Sequence, residues 1–231
     1  CNRDLQDYEA EGLDISGINT SNFTLTAGGA VTDSGAILTG TLNITGTGSV
    51  ILDNATNDAN DLIASAAGQI FSFTDVDGLN LAGITAGTLN VQTGGALTDS
   101  AAITAGALNI TSTGPVTLDF ATTDVDNLSI SAPAQTASFT DADGVNLTGI
   151  NAGTFTLTAG GAVTDSGAVL ATTLNITAPD DVTLDNATND VDNLNISAAG
   201  QDAVFVDVDG VNINGILTGT MQLTAGGAIT D

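Results

Sequence analysis

The feature that most constrains this chain is an unbroken 66-residue internal period, which sets Gly28, Gly94, Gly160 and Gly226 at the same place in successive copies. Leu25-Thr-Ala-Gly-Gly-Ala-Val-Thr-Asp33 returns at Val91–Asp99, Leu157–Asp165 and Leu223–Asp231. Leu52-Asp-Asn-Ala-Thr-Asn-Asp58 returns from Leu118 and Leu184, and Asp75-Val-Asp-Gly-Leu-Asn-Leu81 returns from Asp141 and Asp207. No insertion or deletion disturbs the spacing. Period-two alternation of apolar and polar residues begins at Phe23, Leu42, Leu62, Leu89, Leu108, Leu128, Phe155, Leu174, Leu194 and Met221, at intervals of 19, 20 and 27 that repeat in that order. Alternation of this kind marks strands with one face inward.

Evenly spaced strands separated by Gly, Asp, Asn and Ser turns suit an antiparallel sandwich or a parallel solenoid. A sandwich gives each strand its own surroundings and no reason for a fixed long period. A solenoid gives every coil the same surroundings, so its sequence repeats. The reading is therefore all-β: a parallel β-helix of about ten coils, three to each 66-residue repeat (19+20+27). Glycine, 28 in number, together with Asn and Asp, is expected at corners that need positive φ. Pro115, Pro133 and Pro179 are expected at bulges or corners. Ile110 is expected inside, between Val91 and Ile130, with Thr111 facing water.

The repeat covers residues 12 to 231, expected to form one solenoid. Residues 1 to 11 depart from it and have the polar, irregular look of a cap or junction. The sequence stops at Asp231 in mid-unit, without a cap. A bare coil edge invites pairing, so Met221 and Leu223 are candidate contacts for another coil. Leu5 and Tyr8 of a second, head-to-tail copy are their candidate partners.

Composition narrows the function. The net charge is -26, with 27 acidic residues, one Arg (Arg3), no Lys and no His. Nucleic acid and anionic membrane surfaces need cations that this chain lacks. Without His and with Cys1 alone, zinc sites and Ser-His-Asp or Cys-His catalysis cannot be assembled. No apolar run approaches the ~18 residues of a membrane helix. The expectation is a protein that is not an enzyme.

The phrases Val-Thr-Leu-Asp-Asn-Ala-Thr-Asn-Asp (182 to 190) and Leu-Thr-Ala-Gly-Gly-Ala-Val-Thr-Asp-Ser-Gly-Ala (157 to 168) resemble the repeats of filamentous-haemagglutinin-type exoproteins, large bacterial surface adhesins of the two-partner secretion type. The resemblance covers residues 12 to 231. It implies a right-handed β-helix, a secreted or cell-surface location, and an adhesive or filament-forming role.

The best candidates for chemistry are the Asp-x-Asp-Gly turns, Asp75/Asp77, Asp141/Asp143 and Asp207/Asp209, with Glu9/Glu11 as the divergent copy. Paired carboxylates with Asn80, Asn146 or Asn212 nearby offer hard oxygen ligands for calcium. Alternatively the Asp side chains cap turns by accepting backbone N–H groups. A wider column stacks either Asp33, Asn54 and Asp75 or Asp33, Asp53 and Asp75; the first is expected, since it interrupts like charges with Asn. An outward column, Thr26, Thr45, Ser65, Gln92, Thr111, Ser131, Thr158, Thr177, Ser197 and Thr224, reads as ordinary strand surface or as a ladder for ice or a host or surface glycan. Cys1 suits either an ordinary first residue or the lipid-modified N-terminus of a surface protein.

Overall fold

The structure is a computed structural model that describes residues 2 to 7, by their backbone, and residues 12 to 231. Cys1, Tyr8, Glu9 and Glu11 lie outside the described residues. The chain divides into two compact units, Cys1–Gly114 and Pro115–Asp231. All regular structure among the described residues is β, and the strands pair in parallel within each unit. Among the described residues the hairpins of a sandwich are not formed.

The first unit holds β1 (Asn2–Asp7), β2 (Leu13–Ile15), β3 (Ile18–Ala27), β4 (Val31–Asp33), β5 (Ile37–Gly46), β6 (Val50–Leu52), β7 (Asp58–Asp75), β8 (Leu79–Thr93), β9 (Leu97–Asp99) and β10 (Ile103–Ser112). The second holds β11 (Val116–Leu118), β12 (Asp124–Asp141), β13 (Val145–Ala159), β14 (Val163–Asp165), β15 (Val169–Thr177), β16 (Val182–Leu184), β17 (Asp190–Asp207), β18 (Val211–Ala225) and β19 (Ile229–Thr230). Each unit is a parallel β-solenoid whose alternate side chains enter a core of Leu, Ile, Val, Phe and Ala. Ile110 is buried, with Val91 as its register partner in the coil before, and Thr111 is exposed.

The register corrects the expected coil count. In the first unit Phe23 pairs with Leu42, Leu42 with Leu62, and Leu62 with Leu81, steps of 19, 20 and 19 along the chain. Leu89 belongs to another column, which runs Leu13, Val31, Val50, Phe71, Leu89, Leu108. The interval from Leu62 to Leu89 is therefore a full coil, ending at Leu81, plus a further stretch that carries the chain to a different side. One repeat makes three coils and close to half of another, not three. The second unit does the same: Met221 stands in the column of Val163, Val182 and Ala203, whereas Phe155, one period earlier, pairs with Ala137 and Leu174.

Glycine also serves a purpose other than the expected one. Positive φ occurs at only four described glycines, Gly17, Gly68, Gly83 and Gly200, and at Ala134. Gly68, Ala134 and Gly200 are equivalent corners within the three long strands β7, β12 and β17, and Pro133 precedes the middle one. The Gly-Gly pairs are needed instead for close stacking. A Cβ on Gly94 would lie 2.1 Å from the carbonyl oxygen of Val76, and one on Gly160 would lie 2.1 Å from that of Ala142.

Candidate functional site

The three Asp-x-Asp-Gly turns follow the ends of β7, β12 and β17, and the turn, where strand alternation stops, gives their two carboxylates different surroundings. Asp75, Asp141 and Asp207 point inward and are each 2% exposed, while Asp77, Asp143 and Asp209 face solvent. One oxygen of Asp75 accepts the N–H of Ala59 at 2.8 Å, and the other accepts the N–H of Asp77 at 3.1 Å. Asp141 accepts from Val125 at 3.0 Å and Asp143 at 3.3 Å; Asp207 accepts from Val191 at 2.9 Å and Asp209 at 3.3 Å. Each carboxyl thus ties the last residue of a long strand to the second residue of the same strand. This is the turn-capping alternative, extended to close a coil.

Burial is the main cause of a raised pKa at all three carboxyls. It pushes Asp75 to about 6 and Asp141 to about 7, against the lowering effect of the backbone N–H bonds. Asp207 moves in the same direction for the same reason. Asn80 and Asn146 turn away from these carboxyls. Asn80 donates to Asp61 at 2.7 Å and to Ser100 at 2.9 Å, and Asn146 donates to Asn127 at 3.0 Å and to Ser166 at 2.9 Å. Asn212 donates to Asn193 at 3.1 Å and to Asn214 at 2.6 Å. Among the described residues no three Asp, Glu, His or Cys side chains converge as a metal-binding group.

A second polar centre escaped sequence reasoning. Asn57 is wholly buried, accepts the N–H of Ile37 at 2.8 Å and donates to Asp33 at 2.7 Å. Asp33 also accepts the N–H groups of Asp53 and Asn54 at 3.0 and 3.3 Å. Asn189, Val169, Asp165, Asp185 and Asn186 repeat the arrangement in the second unit at matching distances. Burial raises the pKa of Asp165. The only sequence signal was the return of Asn57 as Asn189, with Thr123 at the middle copy. The expected Asp33–Asn54–Asp75 stack is not formed throughout: Leu52 pairs with Phe73, as that alignment requires, but Val31 pairs with Val50 rather than Leu52. Like charges are kept apart by register, with Asp33 engaged by the next coil's turn.

The outward polar column is likewise divided. Thr26, Thr45, Ser65 and Thr85 form one column of the first unit, while Thr74, Gln92 and Thr111 form another. In the second unit Thr140, Thr158, Thr177, Ser197 and Leu217 stand together, and Thr224 pairs with Val206 instead. The half-coil transit in every repeat causes the split. Shallow grooves run over these faces. One of about 250 Å³ is lined by Ser72, Thr74, Asn90, Gln92, Asn109 and Thr111. Another of about 350 Å³ lies over Asn175, Thr177, Asn195, Ser197 and Gly215, beside exposed Leu217. Asn90 donates to Ser72, Asn109 to Asn90, and Asn195 to Asn175, at 2.8–2.9 Å. These faces offer repeated hydroxyl and amide groups rather than one convergent point of chemistry.

Leu5 lies in β1 opposite Leu25. Met221 and Leu223 lie in β18 and are half-exposed. No helix of the described residues is long and apolar enough to cross a membrane. No curated protein and no solved structure gives a match. Three successive family-model matches cover residues 2–66, 67–131 and 134–198, and the chain therefore belongs to the family described as Repeats of unknown function (DUF5649).

Proposed function

We propose that this chain is a non-enzymatic structural segment, the β-solenoid stalk of a secreted or cell-surface adhesin. The observation that carries this reading is that the buried aspartates, Asp75, Asp141 and Asp207, recur with the repeat and are each engaged in closing a coil. Among the described residues every buried side-chain polar atom has a hydrogen-bond partner. A catalytic centre would be singular and would hold groups poised for substrate. The extracellular setting and the adhesive role rest on the resemblance of 157 to 168 and 182 to 190 to filamentous-haemagglutinin-type repeats. Antibody labelling of intact source cells, against the same cells permeabilised, tests the setting. Surface signal with intact cells supports the reading, and signal only after permeabilisation overturns it.

A further inference from the structure

Asp75, Asp141 and Asp207 are buried at the ends of their strands, and each carboxyl is hydrogen-bonded back to the start of the strand that it ends. The charged groups that face them are carboxylates. Asp77 and Asp58 act on Asp75, Asp143 on Asp141, and Asp209 and Asp190 on Asp207. The register partners Thr93, Ala159 and Ala225 carry no charge. The sequence has no Lys and no His, and its one Arg is Arg3. A carboxylate in such a place suffers desolvation and like-charge repulsion, offset by only two N–H bonds.

We propose that these three residues are proton-operated clasps: each holds its coil shut as a neutral carboxylic acid, and its ionisation loosens that coil while the rest of the solenoid stays folded. The proton goes to solvent, and the charged carboxylate gains hydration by leaving its niche. The backbone bonds of that turn, such as Val76 N–H to Asn57 C=O at 2.8 Å, are the ones released. Their counterparts are Ala142 to Thr123 at 2.7 Å and Val208 to Asn189 at 2.8 Å. The device recurs with the period, so a longer array would carry one clasp in each repeat.

The raised pKa values support the geometry and set the sign. A group whose folded pKa exceeds its unfolded value binds more protons when folded. For Asp75 the stabilisation is complete below 3.8 and is lost as pH rises through about 6; for Asp141 the loss extends to about 7. The clasp at Asp75 is thus expected to open roughly 25-fold more often at pH ~7.5 than at pH ~4.5.

The test uses the whole chain with 13C-labelled aspartate carboxyls, titrated by NMR in about 0.5 M NaCl to screen exposed charges. Asp75 and Asp141 are expected to titrate near pH 6 and 7, with Asp207 moved in the same direction. Amide exchange at Ala59, Val76 and Asp77, corrected for intrinsic pH dependence, should slow at least ~10-fold between pH ~7.5 and ~4.5. Asp75→Asn should remove the high-pH titration and the pH dependence at that turn alone, leaving those at Asp141. If Asp75→Asn does not fold, the wild-type titration and exchange decide by themselves. The proposal is overturned if every aspartate titrates below pH ~5, or if exchange at the three turns is independent of pH in that range.

Discussion

Two glycines of the first unit should respond to alanine in opposite ways, and the contrast tests how the coils stack. A methyl on Gly94 would sit 2.1 Å from the Val76 carbonyl oxygen, where real contacts stay beyond 3.0 Å, so the coils must part by about 0.9 Å. That movement stretches the bond from Gly94 N–H to the Asp75 carbonyl, now 3.0 Å, beyond bonding range. Overpacking costs ~1–3 kcal/mol and the lost bond ~1 kcal/mol, so Gly94→Ala should destabilise by roughly 2–4 kcal/mol. Gly68 has φ +72 and nothing within 4 Å of an added methyl. Alanine there meets only left-handed backbone strain of ~1–2 kcal/mol, partly offset by a stiffer unfolded chain. Ala134 already occupies the equivalent corner of the middle repeat with φ 60. Gly68→Ala should therefore cost ~1 kcal/mol or less. Urea unfolding followed by far-ultraviolet circular dichroism suits a chain with no Trp and one Tyr. The midpoints should separate at unchanged m-value. Equal losses in the two variants, or a larger loss at Gly68, would refute the claim that backbone contact between coils selects Gly94.

Ile110→Asp should cost more than ~3 kcal/mol, because it removes a buried aliphatic side chain and buries a charge, while Thr111→Asp should stay within ~1 kcal/mol; denaturant midpoints decide, and equal losses would reverse the in/out phase. Asn57→Ala should cost ~1–3 kcal/mol by orphaning the Ile37 N–H and one oxygen of Asp33, and Asn189→Ala should match it in the second unit, each measured by thermal unfolding. Calcium and magnesium at equal concentration should raise the melting temperature alike, as screening ions, because Asp75, Asp141 and Asp207 already commit both oxygens to backbone N–H groups. A calcium gain clearly above that of magnesium would reveal a specific site.

Much of this architecture could be read from alternation and period. The inward residues Phe23, Leu42, Leu62 and Leu89 and the parallel solenoid follow from a pattern in which each coil meets the same surroundings. The half-coil transit could not be read, because Ile84 and Ala86 between Leu81 and Leu89 enter the core without the marked apolar–polar contrast of the strands around them. Register was the second obstacle. Whether Val31 faces Val50 or Leu52 depends on where the turn places its residues, and Asp33 decides it by capping residues 53 and 54. The carboxylate turns were legible as a motif. Their orientation was not, since burying an aspartate is unfavourable unless a particular pair of N–H groups, here those of Ala59 and Asp77, awaits it. Asn57 was hidden for the same reason: in sequence it is one of several turn asparagines, and only the fold gives it Ile37 and Asp33 as partners.

The transit makes the unit that recurs along the chain different from the unit that recurs in space. Within the first unit Thr26 and Gln92 are genealogical copies, yet they look out in different directions. A flat target approaching from one side meets one of the pair and misses the other. Within one unit, a substitution inherited through duplication of the repeat is therefore displayed on two flanks. Selection for stickiness on a single flank would act on one copy of the pair, leaving the other free to drift, and divergence between the two would be the genetic trace of such a half-step.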